Sequence, residues 1–558
     1  RRGRPAPPPP DHSDPYAIYR TPVYNGLRRA VSWSVDHKYV TVGAVLLILA
    51  GSIAAFTRVQ HQFFPISSRP ELFFQMRMPQ GTSITASLDI AKRGEAMLKD
   101  DKDIATFTTY VGQGSPRFWL GLNPQLPDEA FAEIVIIARD VAARERIKAR
   151  LEGEVAAGKL SEARVRVDRF NFGPPVGFPV QFRVIGPDPA SVRETALKVR
   201  DIMRANVAAR DPHFDWNEQT PSVRLVVDQD RARALGLNVQ DVSNMLQTWL
   251  SGVTVTSVRD RTERVDVVAR AAPAERADLS RIGELTIATR GGVPVPLAQV
   301  ARIEYVHEDP ILWRRSRELA ITVRADVVDG VQPPTVSHDV GEALKPLIAT
   351  LPPGMRIEQG GSVEESGKAN SSIFMLFPLM ILGMLTILML QLQSFSRLFL
   401  VFAPAPLGIV GASIGLNLFN APFGFVALLG LIALAGMDMR NTVILVQQID
   451  EDLAAGADMR EAVIEATVRR ARPVVLTALS AILAMIPLST SLFWGPMAIT
   501  IAGGLATATF MTLLFLPALY SIWFKVQPAR NRAPVVAPPS PEQVQDEALT
   551  MITRMAAE

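Results

Sequence analysis

The distribution of apolar runs, one near the start and five near the end, most limits the folds open to this chain. Residues 39–57 carry no charge, and after a long polar interval further runs follow at 372–390, 398–416, 423–446, 473–491 and 497–524. Each is close to the ~20 residues that cross a bilayer's hydrocarbon core as a helix. Backbone groups find no water there, so six helices are the expectation. The chain has 558 residues, 48% hydrophobic and 20% charged, a mixture that fits several domains, with spans joined to a large water-exposed part.

Lysine and arginine gather in the 391–397 loop, in the 447–472 connector with Arg469, Arg470 and Arg472, and in the tail with Lys525, Arg530 and Arg532; connectors 417–422 and 490–496 hold none. The positive-inside rule puts the first set in the cytoplasm and residues 58–361 on the other side. Net charge is only +3, with no basic stripe among aromatics, so nucleic acid is not an expected partner. Zero cysteines exclude disulfides and thiolate metal sites, and suit an oxidising periplasm as well as a cytoplasm. The Pro-rich, Met-less start is expected to lie inside a loop of a longer protein. Residues 1–23 read as a disordered cytoplasmic linker and 525–558 as a cytoplasmic tail with a short helix at 542–555. Residues 24–38, with Leu27, Val31 and Trp33 among Arg28, Arg29 and Lys38, read as a helix lying in the membrane interface.

The polar stretch alternates between periods. Strands are expected at 71–78, 104–111, 130–138 and 163–170, with helices at 83–100 and 141–154. That is βαββαβ, a ferredoxin-like unit over 58–178. The order begins again at 179–185, 189–208 and 213–218 and resumes at 319–328, 335–350 and 355–359. A second unit over 179–219 and 310–361 thus encloses an inserted subdomain at 220–309. The fold class is α-helical membrane protein with an α+β domain outside the cytoplasm, built as an internal repeat.

Within the fourth run stands Gly436-Met437-Asp438-Met439-Arg440-Asn441. A charge near the bilayer centre costs roughly 2.5 to 3.5 kcal/mol on insertion scales and marks an ion or proton pathway with a partner nearby. Asp438 and Arg440 are two positions apart, about 200° around a helix, and point to opposite faces. The other apolar runs hold no Asp or Glu. The counter-charge to Arg440 must therefore come from another polypeptide or from a part of the protein missing here, unless Arg440 snorkels to an interface.

One span, two split βαβ units with an insert, then five spans resembles one half of a resistance-nodulation-division (RND) transporter. The likeness is greatest to the C-terminal half of the hydrophobe and amphiphile efflux branch, over residues 24–525. Asp228-Gln229-Asp230-Arg231-Ala232-Arg233-Ala234-Leu235-Gly236-Leu237 is similar to the signature opening that family's docking subdomain. Gly436 to Asn441 resembles the fourth span of the C-terminal half, and Arg472-Pro473-Val474-Val475-Leu476-Thr477 the start of its fifth.

The resemblance implies that Arg440, Arg470 and Thr477 sit on proton-relay positions facing an acidic pair carried by the missing N-terminal half. Asp438 departs from the small or apolar residue expected there, and stands either as an extra titrating site or as a partner for a polar group of a neighbouring helix. Thr477 has the alternative of bonding its own helix backbone, and Arg470 of serving only the charge bias of the connector. The same resemblance implies a Gram-negative inner membrane with 58–361 in the periplasm, a trimer, a periplasmic adaptor, an outer-membrane channel and contact with membrane lipid. No cofactor is called for, the proton gradient being the energy source.

Substrates are expected to be small hydrophobic or amphiphilic compounds handled in the polar part. Phe107, Tyr110, Phe118 and Trp119, interleaved with Gly112 and Gly114, match the family's glycine-rich switch loop in position, and Phe131, Phe170 and Phe172 are further candidates for the clefts. For any single aromatic, core packing is the competing account. Heavy-metal or lipid export by the same superfamily are alternatives. Met76 and Met78 invite the metal reading, but they alternate on a strand without a completing soft ligand. A membrane scaffold or receptor has little reason to bear Arg440. No Gly-x-Ser-x-Gly, His-Glu-x-x-His or Walker pattern occurs, which argues against hydrolysis and ATP.

Overall fold

The computed structural model describes residues 21–527 except 217, 274, 275, 277 and 290. Residues 1–20 of the expected linker and 528–558 of the expected tail, with its helix at 542–555, lie outside the described residues, while Pro22 and Val23, expected in the linker, form the first turn of a helix in which Pro22 takes a position that needs no backbone donor.

Helix α1 (Pro22–Asp36) leads through a break at His37 into α2 (Lys38–Phe56). The first polar unit then runs β1 (Glu71–Arg77), α3 (Ile84–Ala96), β2 (Ile104–Val111), β3 (Phe131–Ala138), α4 (Val141–Ala156) and β4 (Arg164–Arg169). Its antiparallel sheet has the order β2-β3-β1-β4. The helices start where short polar side chains cap free backbone N–H groups: Ser83 accepts from Ala86 N and Asp140 from Ala143 N. Alternation along β1 separates its faces. Leu72, Phe74 and Met76 are buried with α3 and α4 in a core that also holds Ile134, Ile136, Ile147 and Leu151, while Phe73, Gln75 and Arg77 line a cleft on the other side.

The second unit repeats the arrangement with β5 (Val180–Gly186), α5 (Pro189–Ala205) and β6 (Ala209–Phe214). The insert between its halves contains β7 (Thr220–Val227), α6 (Gln229–Ala234), α7 (Val239–Leu250), β8 (Val253–Asp260), β9 (Glu263–Ala269), β10 (Thr286–Ala288), β11 (Pro294–Pro296), α8 (Leu297–Val300) and β12 (Ala301–Glu308). Beyond it β13 (Arg314–Arg315), β14 (Glu318–Val327), α9 (Pro333–Ile348) and β15 (Arg356–Gly361) complete the sheet. Both β13 and β6 pair with β14, which continues to β5 and β15. The expected strand at 213–218 falls earlier, at Ala209–Phe214, because Asp215 leaves the strand to accept Thr322 N at 2.7 Å. Every residue of the β8–β9 hairpin is exposed.

Among the described residues, six helices are long and apolar enough to cross a membrane. After α2 these are α10 (Ser362–Leu392), the broken pair α11 (Phe395–Phe402) and α12 (Gly408–Leu418), α13 (Phe425–Ala454), α14 (Met459–Ser489) and α15 (Gly495–Trp523). The second span begins ten residues before the expected 372. Gly361, at φ +71°, turns β15 directly into the helix, and a Cβ there would lie 2.5 Å from Pro179 O. Glu364 in the first turn reaches Arg183 at 2.6 Å and Arg315 at 3.0 Å, tying α10 to the second unit. The third span breaks at Pro404 and Pro406, as the loss of backbone donors requires.

Pro473 was expected in the first turn of its helix and lies instead in the interior of α14. The reason is a cap upstream: Asp458 accepts from Arg460 N and Glu461 N, starting the helix fourteen residues before Pro473. Most of the 447–472 connector is consequently helical, and several of its charges pair. Arg397 meets Asp450 at 2.9 Å, Arg460 meets Asp36 at 2.9 Å, Arg28 meets Glu465 at 2.5 Å, and Arg469 bonds Asp452. Helix α1 is thus clamped onto α14.

Candidate functional site

Two places concentrate chemistry. In the membrane helices, α13 divides its polar residues between two faces. Asp438 is 2% exposed and faces a cavity of about 10 Å³ with Asn441, Val474, Thr509 and Thr512, at the lower limit for one water. Room for the carboxylate comes from Gly408, where a Cβ would stand 3.2 Å from Asp438 Oδ2. That oxygen and the Thr512 hydroxyl have no hydrogen-bond partner among the described residues. Thr442 donates back to the Asp438 carbonyl at 2.9 Å.

Arg440 points the other way, exposed on the outer surface of the helix set and without an ion pair among the described residues. Arg470 is half-buried, with its Nε unpartnered. Thr477 is exposed and donates to Val474 O of its own helix at 2.9 Å. The four candidates therefore do not converge inside this chain. Asp438 occupies the core of the helix set, and Arg440 and Thr477 its surface.

The second place is the cleft between the two βαββαβ units, which face each other with the sheet surfaces their helices leave bare. The cavity has a volume of about 460 Å³, within the range of small-ligand sites. Alternate positions of the strands supply its walls: Phe73, Gln75 and Arg77 of β1, Arg164, Arg166 and Asp168 of β4, Asp211 and His213 of β6, and Thr322, Arg324 and Asp326 of β14. Seven Arg and Lys side chains and six carboxylates line it in all.

Ion pairs cross this cleft. Arg166 grips Asp326 through both oxygens at 2.7 and 2.8 Å and reaches Asp168 at 3.1 Å. Burial raises the Asp326 carboxyl and Asp168 adds to this, against the pull of Arg166. At the rim Asp329 binds Arg169 and Lys148, each at 2.9 Å. Burial works against that carboxylate, but the two cations hold it down at about 2. Phe178 lies between two guanidiniums, with Arg166 at 4.1 Å and Arg324 at 4.5 Å from its ring centre.

Of the seven aromatic candidates, Phe131, Phe170 and Phe172 line the cleft. Phe131 and Phe170 do so as residues only 1% and 3% exposed. Phe107 packs against the core of the first unit, and Tyr110 and Trp119 pack around Phe73, Leu122, Val135 and Phe170. Phe118 is half-exposed and meets Phe170 edge-on at 5.6 Å. Phe172 also contacts Phe493, in the connector between α14 and α15, at 4.6 Å. The loop after β2 is anchored by Glu133, which accepts from Ser115 N and Gln75 Nε2. Met76 and Met78 are core residues on the far side of the sheet. The charged wall was missed in the sequence, although Arg164-x-Arg166-x-Asp168 and Thr322-x-Arg324-x-Asp326 carry its period-two signature.

Comparison with known proteins adds the following. The model of a family described as AcrB/AcrD/AcrF matches residues 21–523. Curated relatives include the nickel-cobalt-cadmium resistance protein NccA of Alcaligenes xylosoxydans xylosoxydans, 27% identical over 86% of this chain and 46% of the relative. Another is the multidrug resistance protein MdtC of Klebsiella pneumoniae subsp. pneumoniae, 23% identical over 89% and 48%. A crystal structure of a heavy metal efflux pump aligns with a TM-score of 0.73 and 23% identity over 90% of this chain and 53% of that one. The chain spans about half the length of the curated relatives it matches.

Proposed function

This chain belongs to the AcrB/AcrD/AcrF family of resistance-nodulation-division efflux transporters, and from that premise we propose that it is the C-terminal half of a proton-driven exporter of hydrophobic and amphiphilic compounds. The observation that carries the reading is Arg440, a permanently charged guanidinium on a membrane helix, turned outward from the six helices of this half. A cation so placed needs a carboxylate from the missing half. Protonating that carboxylate breaks the pair and frees Arg440 to reorient, which makes a two-state switch biased by the proton gradient. Arg470 and Thr477 are further relay positions on the same account. Asp438 faces away from Arg440 and is a separate protonatable site.

A cleft whose walls combine aromatic rings with carboxylates that are largely engaged by arginine and lysine, and no group of three or more His, Cys, Asp or Glu placed to hold a metal ion among the described residues, suits an amphiphile better than a divalent metal ion. The exposed β8–β9 hairpin, with Val255, Val258 and Val265 uncovered, supports assembly with further copies, since a lone hairpin is marginal in water. Trimer, adaptor, outer-membrane channel and a periplasmic place for residues 58–361 belong to the same proposal.

The test is energised efflux of a fluorescent dye from cells carrying the full-length protein, wild type against Arg440→Ala, at matched membrane abundance. Efflux is expected to be abolished. Undiminished efflux at equal abundance defeats the relay assignment, and selective loss of nickel or cobalt tolerance without any dye phenotype defeats the substrate assignment.

A further inference from the structure

Arg324 is the one cleft-wall guanidinium among Arg77, Arg164, Arg166 and Arg324 with no carboxylate within 4.0 Å among the described residues. Arg166 holds Asp326, Arg77 reaches Asp128 at 3.2 Å, and Arg164 reaches Asp211 at 3.4 Å. Among the described residues Arg324 bonds through its Nε alone, donating to His213 Nε2 at 3.1 Å, while His213 Nδ1 donates to the Asp211 carbonyl at 2.7 Å. Both ring nitrogens of a neutral imidazole are then satisfied. Asp215, the nearby carboxylate, accepts from Thr322 N. The two terminal nitrogens of Arg324 meet no acceptor among the described residues, beside a cleft of about 460 Å³.

We propose that the fork of Arg324, set over the Phe178 ring and oriented by His213, is the seat for the anionic head group of an amphiphilic substrate, a carboxylate or sulfonate, whose apolar body lies along the half-buried Phe64 and Phe172. A planar guanidinium with parallel donors matches such groups bidentately, which an ammonium cannot do. Burial depresses the Arg324 guanidinium to about 10, with Asp215 opposing and Arg77, Arg166 and Arg164 adding repulsion. It is still charged at neutral pH, and with no carboxylate within 4.0 Å among the described residues, an arriving anion supplies the close counter-charge it lacks. This inference rests on the reading of the cleft as a substrate site.

Two probes that differ by one sulfonate separate head-group recognition from apolar binding: 8-anilinonaphthalene-1-sulfonate and uncharged N-phenyl-1-naphthylamine. In binding to the full-length protein in nanodiscs, Arg324→Gln is expected to weaken the sulfonate by ~10-fold or more and leave the neutral probe unchanged. Arg324→Lys should fall between, keeping charge without the fork. Equal weakening of both probes, or an unaffected sulfonate, overturns the proposal. Should the variants not fold, competition on the wild type decides: decanoate is expected to displace the sulfonate at ~10-fold lower concentration than decanol, and equal displacement overturns the proposal. Efflux of the neutral probe from wild-type cells is measured alongside. If it persists while the binding results are negative, the anion seat fails and the transport reading stands; if it is absent, the transport reading itself fails.

Discussion

Replacing Gly411 by alanine tests how closely α12 and α15 pack. A Cβ built on Gly411 lies 2.0 Å from the backbone oxygen of Gly503 and 2.6 Å from Thr507 Oγ1. The reciprocal Cβ on Gly503 lies 2.7 Å from Gly411 O, so backbone meets backbone and no flexible side-chain end can yield. Reaching an ordinary contact of 3.4 Å means parting the helices there by about 1.4 Å. A gap of 0.5–1 Å already forfeits a quarter to a half of the dispersion well for each contact along the seam, and association in lipid rests mainly on such packing. Overpacking typically costs about 1–3 kcal/mol, and this site belongs at the top of that range. The assay is membrane abundance together with thermal stability of the full-length protein in detergent. Gly51→Ala is the control, since a Cβ there meets nothing within 4 Å. A cost of about 3 kcal/mol should lower abundance several-fold while Gly51→Ala stays at wild type. Gly411→Ala protein as abundant and as heat-resistant as the control refutes the packing argument.

Arg166→Ala strands Asp326 in the cleft and should destabilise the junction of the two units by about 3–5 kcal/mol, read as faster proteolysis near residues 176–181. Adding Asp326→Ala should restore most of the resistance, and a double variant no better than the single one refutes the pairing. His213 is held well below 6.5, first by burial and then by the cation of Arg324. Because the unfolded state takes up a proton below 6.5 that the folded state refuses, the contribution of His213 is complete above 6.5 and declines as the pH falls. Hydrogen exchange in β6 and β14, corrected for intrinsic rates, should therefore speed up between about pH 7 and about pH 5; unchanged protection counts against the buried neutral imidazole.

Much of the architecture is written locally. A charge-free run of nineteen residues such as 39–57 has one stable form in lipid, because each backbone donor must find its acceptor within the segment. The period-two and period-3.6 patterns of the first unit likewise specify its strands and helices. The opposition of Asp438 and Arg440 follows from helix geometry alone, whereas which of the two faces outward is set by packing. Helix ends were less legible: the Asp458 cap and the ion pairs of Arg460, Glu465 and Arg469 extend α14 far beyond its apolar run, because solvated turns need no hydrophobic signal. What only the tertiary structure decided is which side chains meet. The grip of Arg166 on Asp326 spans 160 residues, and the stacking of Arg324 and Arg166 on Phe178 depends on two bare sheet faces being brought together. Charge pairing of that kind is a property of distances through space, which no periodicity along the chain encodes.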